Sequence, residues 1–275
     1  MKARPTLPTT IILENANKVI LEPHQFAHSL YILLLFFLIL LDTDQSINLT
    51  TVPGWSGWIW ARTGCTFDAA GVGKCQTGDC GGRLECEGNG SAPPTSLFEI
   101  TLGAGNGQDY YDVSMVDGNN LPLLALPRGV YGGVCNATGC ITDINRGCPR
   151  ELQLLGGHQN QQVVGCRSAC EAFKTDKYCC RNTCKPSYYS TIFKKACPRS
   201  YSYAFDDGTS TFTCKAYEYD IVFCPNSNGM RRPNLASPPP IRQPFWKHQQ
   251  VTSSSNILFP FPEPIFLLVL TLSHL

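Results

Sequence analysis

Histidine is nearly absent where it would matter most. The chain has five, and the stretch holding all fifteen cysteines, Cys65 to Cys224, contains one, His158. Structural zinc sites pair short cysteine spacings with histidine, and thiol nucleophiles need a histidine base. The sequence therefore argues against both, and no metal or cofactor is expected. Net charge is equally scarce, +1 over 275 residues. That argues against nucleic acid and against a polybasic membrane face as partners. The unbroken apolar run Leu30 to Leu41 is too short for a comfortable membrane span. It suits the core of a secretory signal peptide, although Leu41-Asp-Thr-Asp-Gln45 is a poor cleavage site.

What is abundant is cysteine and glycine. Trp55 to Cys86 carries three tryptophans and four cysteines among frequent glycines. Too few apolar residues are present to bury a core there, and glycine raises the entropy lost on folding. Cross-links solve that problem. Cys65 and Cys75 can close a loop of about ten residues and Cys80 and Cys86 a smaller one, each stabilising by about 2–4 kcal/mol. The reading is an oxidised, extracellular protein. An odd cysteine count leaves at least one thiol outside the framework. Asn48-Leu-Thr50, Asn89-Gly-Ser91 and Asn136-Ala-Thr138 are N-glycosylation acceptor sequences.

Periodicity places the acidic residues. In Leu97 to Leu102, Phe98, Ile100 and Leu102 share one parity and Glu99 the other. In Tyr110 to Asp117, Val113 and Met115 share one face and Asp112 and Ser114 the other. A hairpin through the intervening glycines projects Glu99 and Asp112 from the same sheet face. Asp117 stands at the Val-Asp-Gly exit. A solvated polar face would explain the same pattern. Helical signals fall at Ser168–Phe173 and, after Pro186, at Ser187–Ala196. Strand character returns at Thr209–Cys214 and Tyr217–Phe223, with Asp206 and Asp207 at the turn before the first. After Pro225 the chain becomes a proline-rich stalk ending in the apolar Ile265 to Leu272, an arrangement that resembles a lipid-anchor signal.

From Pro53 to Pro225 the sequence resembles the thaumatin-like proteins, the fifth group of plant pathogenesis-related proteins. The matches are Trp60-Ala-Arg-Thr-Gly-Cys65, Gln76-Thr-Gly-Asp-Cys-Gly-Gly82, Tyr111-Asp-Val-Ser114 with Val116-Asp-Gly118, Leu121-Pro122, Cys170-Glu-Ala-Phe173, Tyr178-Cys-Cys180, Ala196-Cys-Pro-Arg199, Ser202-Tyr203 and Thr209-Ser-Thr-Phe-Thr-Cys214. The resemblance implies an all-β fold: an antiparallel β-sandwich with two smaller disulfide-rich domains. Residues 47–225 form that domain, 1–46 a signal or anchor foreign to the family, and 226–275 the stalk and tail. Since the usual N-terminal segment finds no match, the first strands of the sandwich are expected to be missing. The implied pairs are Cys65–Cys75, Cys80–Cys86, Cys135–Cys214, Cys140–Cys197, Cys148–Cys166, Cys170–Cys179 and Cys180–Cys184. Cys224, whose family partner lies near the mature N-terminus, is left over.

The resemblance also implies an acidic cleft whose carboxylates map onto Glu99, Asp112, Asp117 and one of Asp206 and Asp207, with Asp206 favoured. The family's cleft arginine, just ahead of the Ile-Trp pair, is replaced by Trp58. Clustered carboxylates raise one another's proton affinity. Such a pair serves glycoside hydrolysis, with Glu99 as acid and Asp112 as base, or simply binds sugar hydroxyls beside aromatic faces such as Tyr110, Tyr111 or Trp58. The implied function is an antifungal defence protein, secreted and monomeric, that binds β-1,3-glucan or the fungal surface. The alternatives are a weak endo-β-1,3-glucanase and a non-catalytic hydrolase inhibitor or surface-tethered recognition domain.

Overall fold

The structure is a computed structural model that describes residues 9–15, 19–25, 39–41, 45–104, 107–133, 135–157, 161–181 and 184–225. All of them lie in the first of two units, Met1–Arg231 and Arg232–Leu275. His158, most of the signal-like run and the stalk and tail lie outside the described residues.

The strands are β1 (Thr10–Asn15), β2 (Val19–Gln25), β3 (Ile39–Leu41), β4 (Gln45–Thr50), β5 (Ser56–Arg62), β6 (Thr66–Phe67), β7 (Gly73–Lys74), β8 (Leu97–Ala104), β9 (Gln108–Ser114), β10 (Leu123–Gly132), β11 (Thr138–Cys140), β12 (Gln153–Leu155), β13 (Val163–Cys166) and β14 (Phe212–Phe223). The helices are short: α1 (Ala169–Phe173), α2 (Asp176–Cys179), α3 (Tyr188–Ala196) and α4 (Asp207–Ser210). One layer of the sandwich runs β4-β1-β14-β10-β11 and the other β3-β2-β5-β8-β9. The long β14 joins them, because its first residues pair with β9 and the remainder with β10 and β1.

The core between the layers draws on both. Ile59, Phe98, Ile100, Leu102, Tyr111 and Val113 come from one side, and Ile11, Leu123, Ala125, Tyr219, Ile221 and Phe223 from the other. Alternation along β8 and β9 follows the expected parity, so Glu99 and Asp112 leave the core face. The Tyr219 hydroxyl donates to the buried Asp109 carboxylate at 2.9 Å, which stops a polar group from being stranded among the apolar ones.

One expectation is corrected. The first strands are not missing, because β1 to β4 form from residues before Pro53. β1 lies parallel to β14, from Thr10 opposite Glu218 to Asn15 opposite Phe223, and covers an edge that would otherwise be open. β2 pairs with β5 from Ile20 opposite Arg62 to Gln25 opposite Gly57. The physical reason is local. Thr-Ile-Ile-Leu and Val-Ile-Leu are rich in β-branched residues, which fit a sheet whatever their ancestry. The sheet therefore crosses the boundary drawn at residue 46, and Ile39–Leu41, the end of the signal-like run, pairs with Val19–Leu21.

Seven disulfides staple the loops, with the same pairs that the resemblance implies. They use fourteen of the fifteen cysteines and leave Cys224 outside them. Two of them, Cys140–Cys197 and Cys148–Cys166, make the core of the helical satellite with Met115, Leu152 and Phe193. The Cys65–Cys86 satellite is built on a buried cation. Arg62 donates from Nη1 to the Leu84 carbonyl and from Nη2 to the Arg83 carbonyl, both at 2.7 Å, and its Nη2 stands 3.6 Å from the Asp79 carboxylate. Ser168 caps α1 and Ser187 caps α3 through a capping box, as their positions before each helix suggest. Thr209–Cys214 is not a strand throughout. Asp206 accepts from the Thr209 hydroxyl at 3.2 Å, and Asp207–Ser210 winds into α4 before β14 begins.

Ile11 is 1% exposed, and its placement tests the N-terminal strands. Ile11→Ala should lower the unfolding free energy by about 2–4 kcal/mol in a denaturant titration. An unchanged midpoint would place β1 outside the core.

Candidate functional site

The site is a row across three strands on the outer face of the second layer. In register, Trp58 of β5 faces Glu99 of β8, and Glu99 faces Asp112 of β9. Facing Cα atoms in antiparallel strands stand roughly 4.5–5.5 Å apart, so the two carboxyl groups are immediate neighbours. Asp117 follows at the turn out of β9, closed by the Gly118 amide donating to the Met115 carbonyl at 3.0 Å. Gly118 is needed there, since its φ is +93° and a Cβ would lie 2.6 Å from the Cys166 carbonyl oxygen.

A buried amide cluster fixes the register. Asn120 donates from Nδ2 to the Ala61 carbonyl and to the Thr77 hydroxyl, each at 2.9 Å, and its Oδ1 accepts from the Ser96 amide at 3.1 Å. One side chain thus ties the end of β5, the Cys65–Cys86 satellite and the entry to β8. Asn119 exchanges two backbone bonds with Cys166 at 2.8 and 2.7 Å, which docks the helical satellite against the same turn.

Electrostatics follow from this crowding. Burial, then the charge of Glu99 and that of Asp207, push Asp112 up to about 8. Its Oδ1 is buried with no hydrogen-bond partner. Burial and then Asp117 raise Glu99, and burial and then Glu171 raise Asp117. Among the described residues no ion pair reaches Glu99, Asp112 or Asp117. Arg62, at the end of β5, donates to the carbonyls of Arg83 and Leu84. Among the described residues no group of three or more His, Cys, Asp or Glu is set to hold a metal ion.

Asp206 stands apart. Burial works to raise its pKa, but bonds from Lys194 and Ser202 bring it below the usual range. Its Oδ2 lies 3.0 Å from Lys194 Nζ and accepts from the Ser202 amide and hydroxyl at 3.0 and 2.8 Å. The neighbouring Asp207 is exposed, accepts from the Tyr201 hydroxyl at 2.7 Å, and is the acid whose charge Asp112 feels. The row therefore gathers Glu99, Asp112 and Asp117 and adds Asp207, while Asp206 serves the Lys194 clamp between α3 and α4.

Beside Asp117 a cavity of about 240 Å³ opens, lined by Glu171, Tyr178, Tyr189, Ser202 and Tyr203 among others. Sequence reasoning missed Glu171, Tyr178 and Tyr189 as neighbours of the row. The only signal was the placement of Glu171 and Tyr178 within the matched Cys170–Phe173 and Tyr178–Cys180 segments; Tyr189 lies in neither. A larger groove of about 950 Å³ runs past Asn120, Asn145, Gln162 and Cys224. Its one carboxylate, Asp143, is paired with Arg146 at 3.2 Å, so volume points there but acid chemistry points to the row.

A raised folded-state pKa has a definite sign. Unfolded Asp112 ionises near 3.8 and folded Asp112 near 8. Stability present below the lower value is lost as pH rises to the higher one. Asp112→Asn should remove that loss. Urea unfolding should show its advantage over the native chain growing from pH 4 to pH 8 by at most about 1.4 kcal/mol per pH unit, then levelling. A constant difference across that window would contradict the burial of this carboxyl.

The thaumatin family model matches residues 39–225. A pathogenesis-related protein 5 from Arabidopsis thaliana is 53% identical over 191 residues, covering 67% of this chain and 77% of that protein. A pathogenesis-related thaumatin-like protein 3.5 from Cryptomeria japonica is 51% identical over 193 residues, covering 68% and 78%. Among solved structures, a thaumatin-like xylanase inhibitor matches with a TM-score of 0.43 at 23% identity, covering 78% of this chain and 99% of that one. A match running from β3 to β14 and through both satellites, with relatives at half identity over two thirds of the chain, makes this chain a member of the thaumatin family.

Proposed function

We propose that this chain is a secreted plant defence protein that binds β-1,3-glucan, or a related polymer of the fungal surface, along the Trp58–Glu99–Asp112 row. Membership of a family whose relatives are named pathogenesis-related supports the defence role. The observation that carries the binding role is the cross-strand row itself, an aromatic side chain in register with two crowded carboxyl groups. A protonated Asp112 donates one hydrogen bond and accepts others, and an ionised neighbour accepts only. Together they match the mixed donor and acceptor character of sugar hydroxyls. The Trp58 indole supplies an apolar face for a pyranose ring.

A second reading is weak endo-β-1,3-glucanase activity, favoured by one observation. Asp112 holds its proton near neutral pH, and a protonated acid beside a second carboxyl is what glycoside hydrolysis needs. The donor would then be Asp112 and the second carboxyl Glu99, the reverse of the order expected from sequence.

Retention of the secreted chain on insoluble β-1,3-glucan tests the binding reading. Binding should be stronger below pH 8 than above it, and Trp58→Ala should weaken it about tenfold. Equal retention on cellulose and β-1,3-glucan, or no effect of Trp58→Ala, would sink it. Release of reducing ends from laminarin that disappears in Asp112→Asn would instead support the second reading.

A further inference from the structure

The acceptor sequence Asn89-Gly-Ser91 lies beside the row. Asn89 and Gly90 are exposed. The loop is pinned at both ends, by the Asn89 amide donating to the Cys86 carbonyl at 2.8 Å and the Ala92 amide donating to the Asp79 carbonyl at 2.6 Å. The Cys80–Cys86 disulfide holds its root. A Cβ placed on Gly90 would come 4.0 Å from Cζ2 of Trp58. The acceptor asparagine is therefore one residue from the edge of the indole that begins the row.

The other two acceptors are placed differently. Asn48 is exposed on β4, in the first layer of the sandwich and beyond β1. Asn136 is half-buried, and its amide and carbonyl are both bonded to the Tyr111 hydroxyl, at 3.1 and 2.5 Å. Thr138 of that acceptor is 1% exposed and donates its hydroxyl to the Arg199 carbonyl at 2.8 Å.

We propose that Asn89 carries an N-linked glycan whose first sugars rest on Trp58 and screen the β5 end of the acidic row. The chemistry is a group transfer from a lipid-linked oligosaccharide of the secretory pathway. The Asn89 amide nitrogen forms a bond to C1 of the first N-acetylglucosamine. The bond from C1 to the lipid diphosphate breaks, that diphosphate leaves with the electron pair, and the amide proton passes to the transferase base. Neighbouring strands lie about 4.8 Å apart, so the row from Trp58 to Asp112 is roughly 10 Å long. A disaccharide core rooted beside Trp58 covers much of that length. The indole face suits N-acetylglucosamine as it suits glucose. The attached sugar and an incoming polymer therefore compete for one aromatic surface, and long chains that overrun the row at β5 are disfavoured.

The screening part rests on the glucan reading above, whereas the modification and its contact with Trp58 do not. The test uses the full chain secreted from a plant host, with Asn89→Gln and Asn48→Gln variants. Peptide mass spectrometry should find a glycan on Asn89. Hydroxyl-radical footprinting should show Trp58 oxidised severalfold more in Asn89→Gln, and equally more in native protein stripped by a glycan-releasing amidase, with no change in Asn48→Gln. Long laminari-oligosaccharides should bind about fivefold tighter to Asn89→Gln, and short ones unchanged. An unmodified Asn89, or a Trp58 footprint that ignores the glycan, would overturn the proposal. A footprint that responds in a protein that binds no glucan would uphold the glycan contact and bring down the glucan reading together with the screening.

Discussion

Two acids facing each other across adjacent strands, with burial on both sides, is the constraint on which the functional surface depends. Glu99 and Asp112 repel when ionised, and nothing in the pairing of β8 with β9 relieves that. The arrangement persists because the strands cannot slip. A one-residue shift would turn Phe98, Ile100, Tyr111 and Val113 out of the core along with the acids. Asn120 adds a second lock by bonding to β5, to the satellite and to the residue before β8. Disulfides close the loops around this centre, so strain at the row cannot be released by opening its surroundings.

The consequence is a surface of weak acids. Among the described residues no ion pair reaches Glu99, Asp112 or Asp117, so no partner cation there holds the carboxyls of the row ionised. Burial and then the charges of Glu99 and Asp207 instead push Asp112 up to about 8, so its charge is removed by proton binding near neutral pH. A row of that kind presents a protonated carboxyl that can donate and a neighbour that accepts, in register with the Trp58 strand position.

How much of this was legible beforehand differs by residue. Glu99 and Asp112 could be paired from parity alone, because side-chain alternation in a strand is strict and both flanking apolar sets were unambiguous. Between Asp206 and Asp207 the resemblance favoured Asp206, and no periodicity could test that choice, since they are neighbours at a turn. In the structure Asp206 is bonded by Ser202, four residues before it, and by Lys194 of α3, contacts that strand parity could not foretell. The N-terminal strands were hidden for another reason. β1 joins the sheet by parallel pairing with β14, some two hundred positions away, and no local turn announces such a contact. Glu171 and the tyrosines near Asp117 were invisible as partners because they arrive on a satellite docked through Asn119 and Cys166.

The central claim is that Asp112 is held protonated by burial and by its neighbour across the strand pair. Carbon-detected NMR of the chain labelled at aspartate and glutamate side-chain carboxyls measures this directly. The account predicts that the Asp112 resonance titrates with a midpoint near 8 and moves to lower pH in Glu99→Gln. A midpoint in the ordinary carboxylate range, unmoved by that substitution, would contradict it.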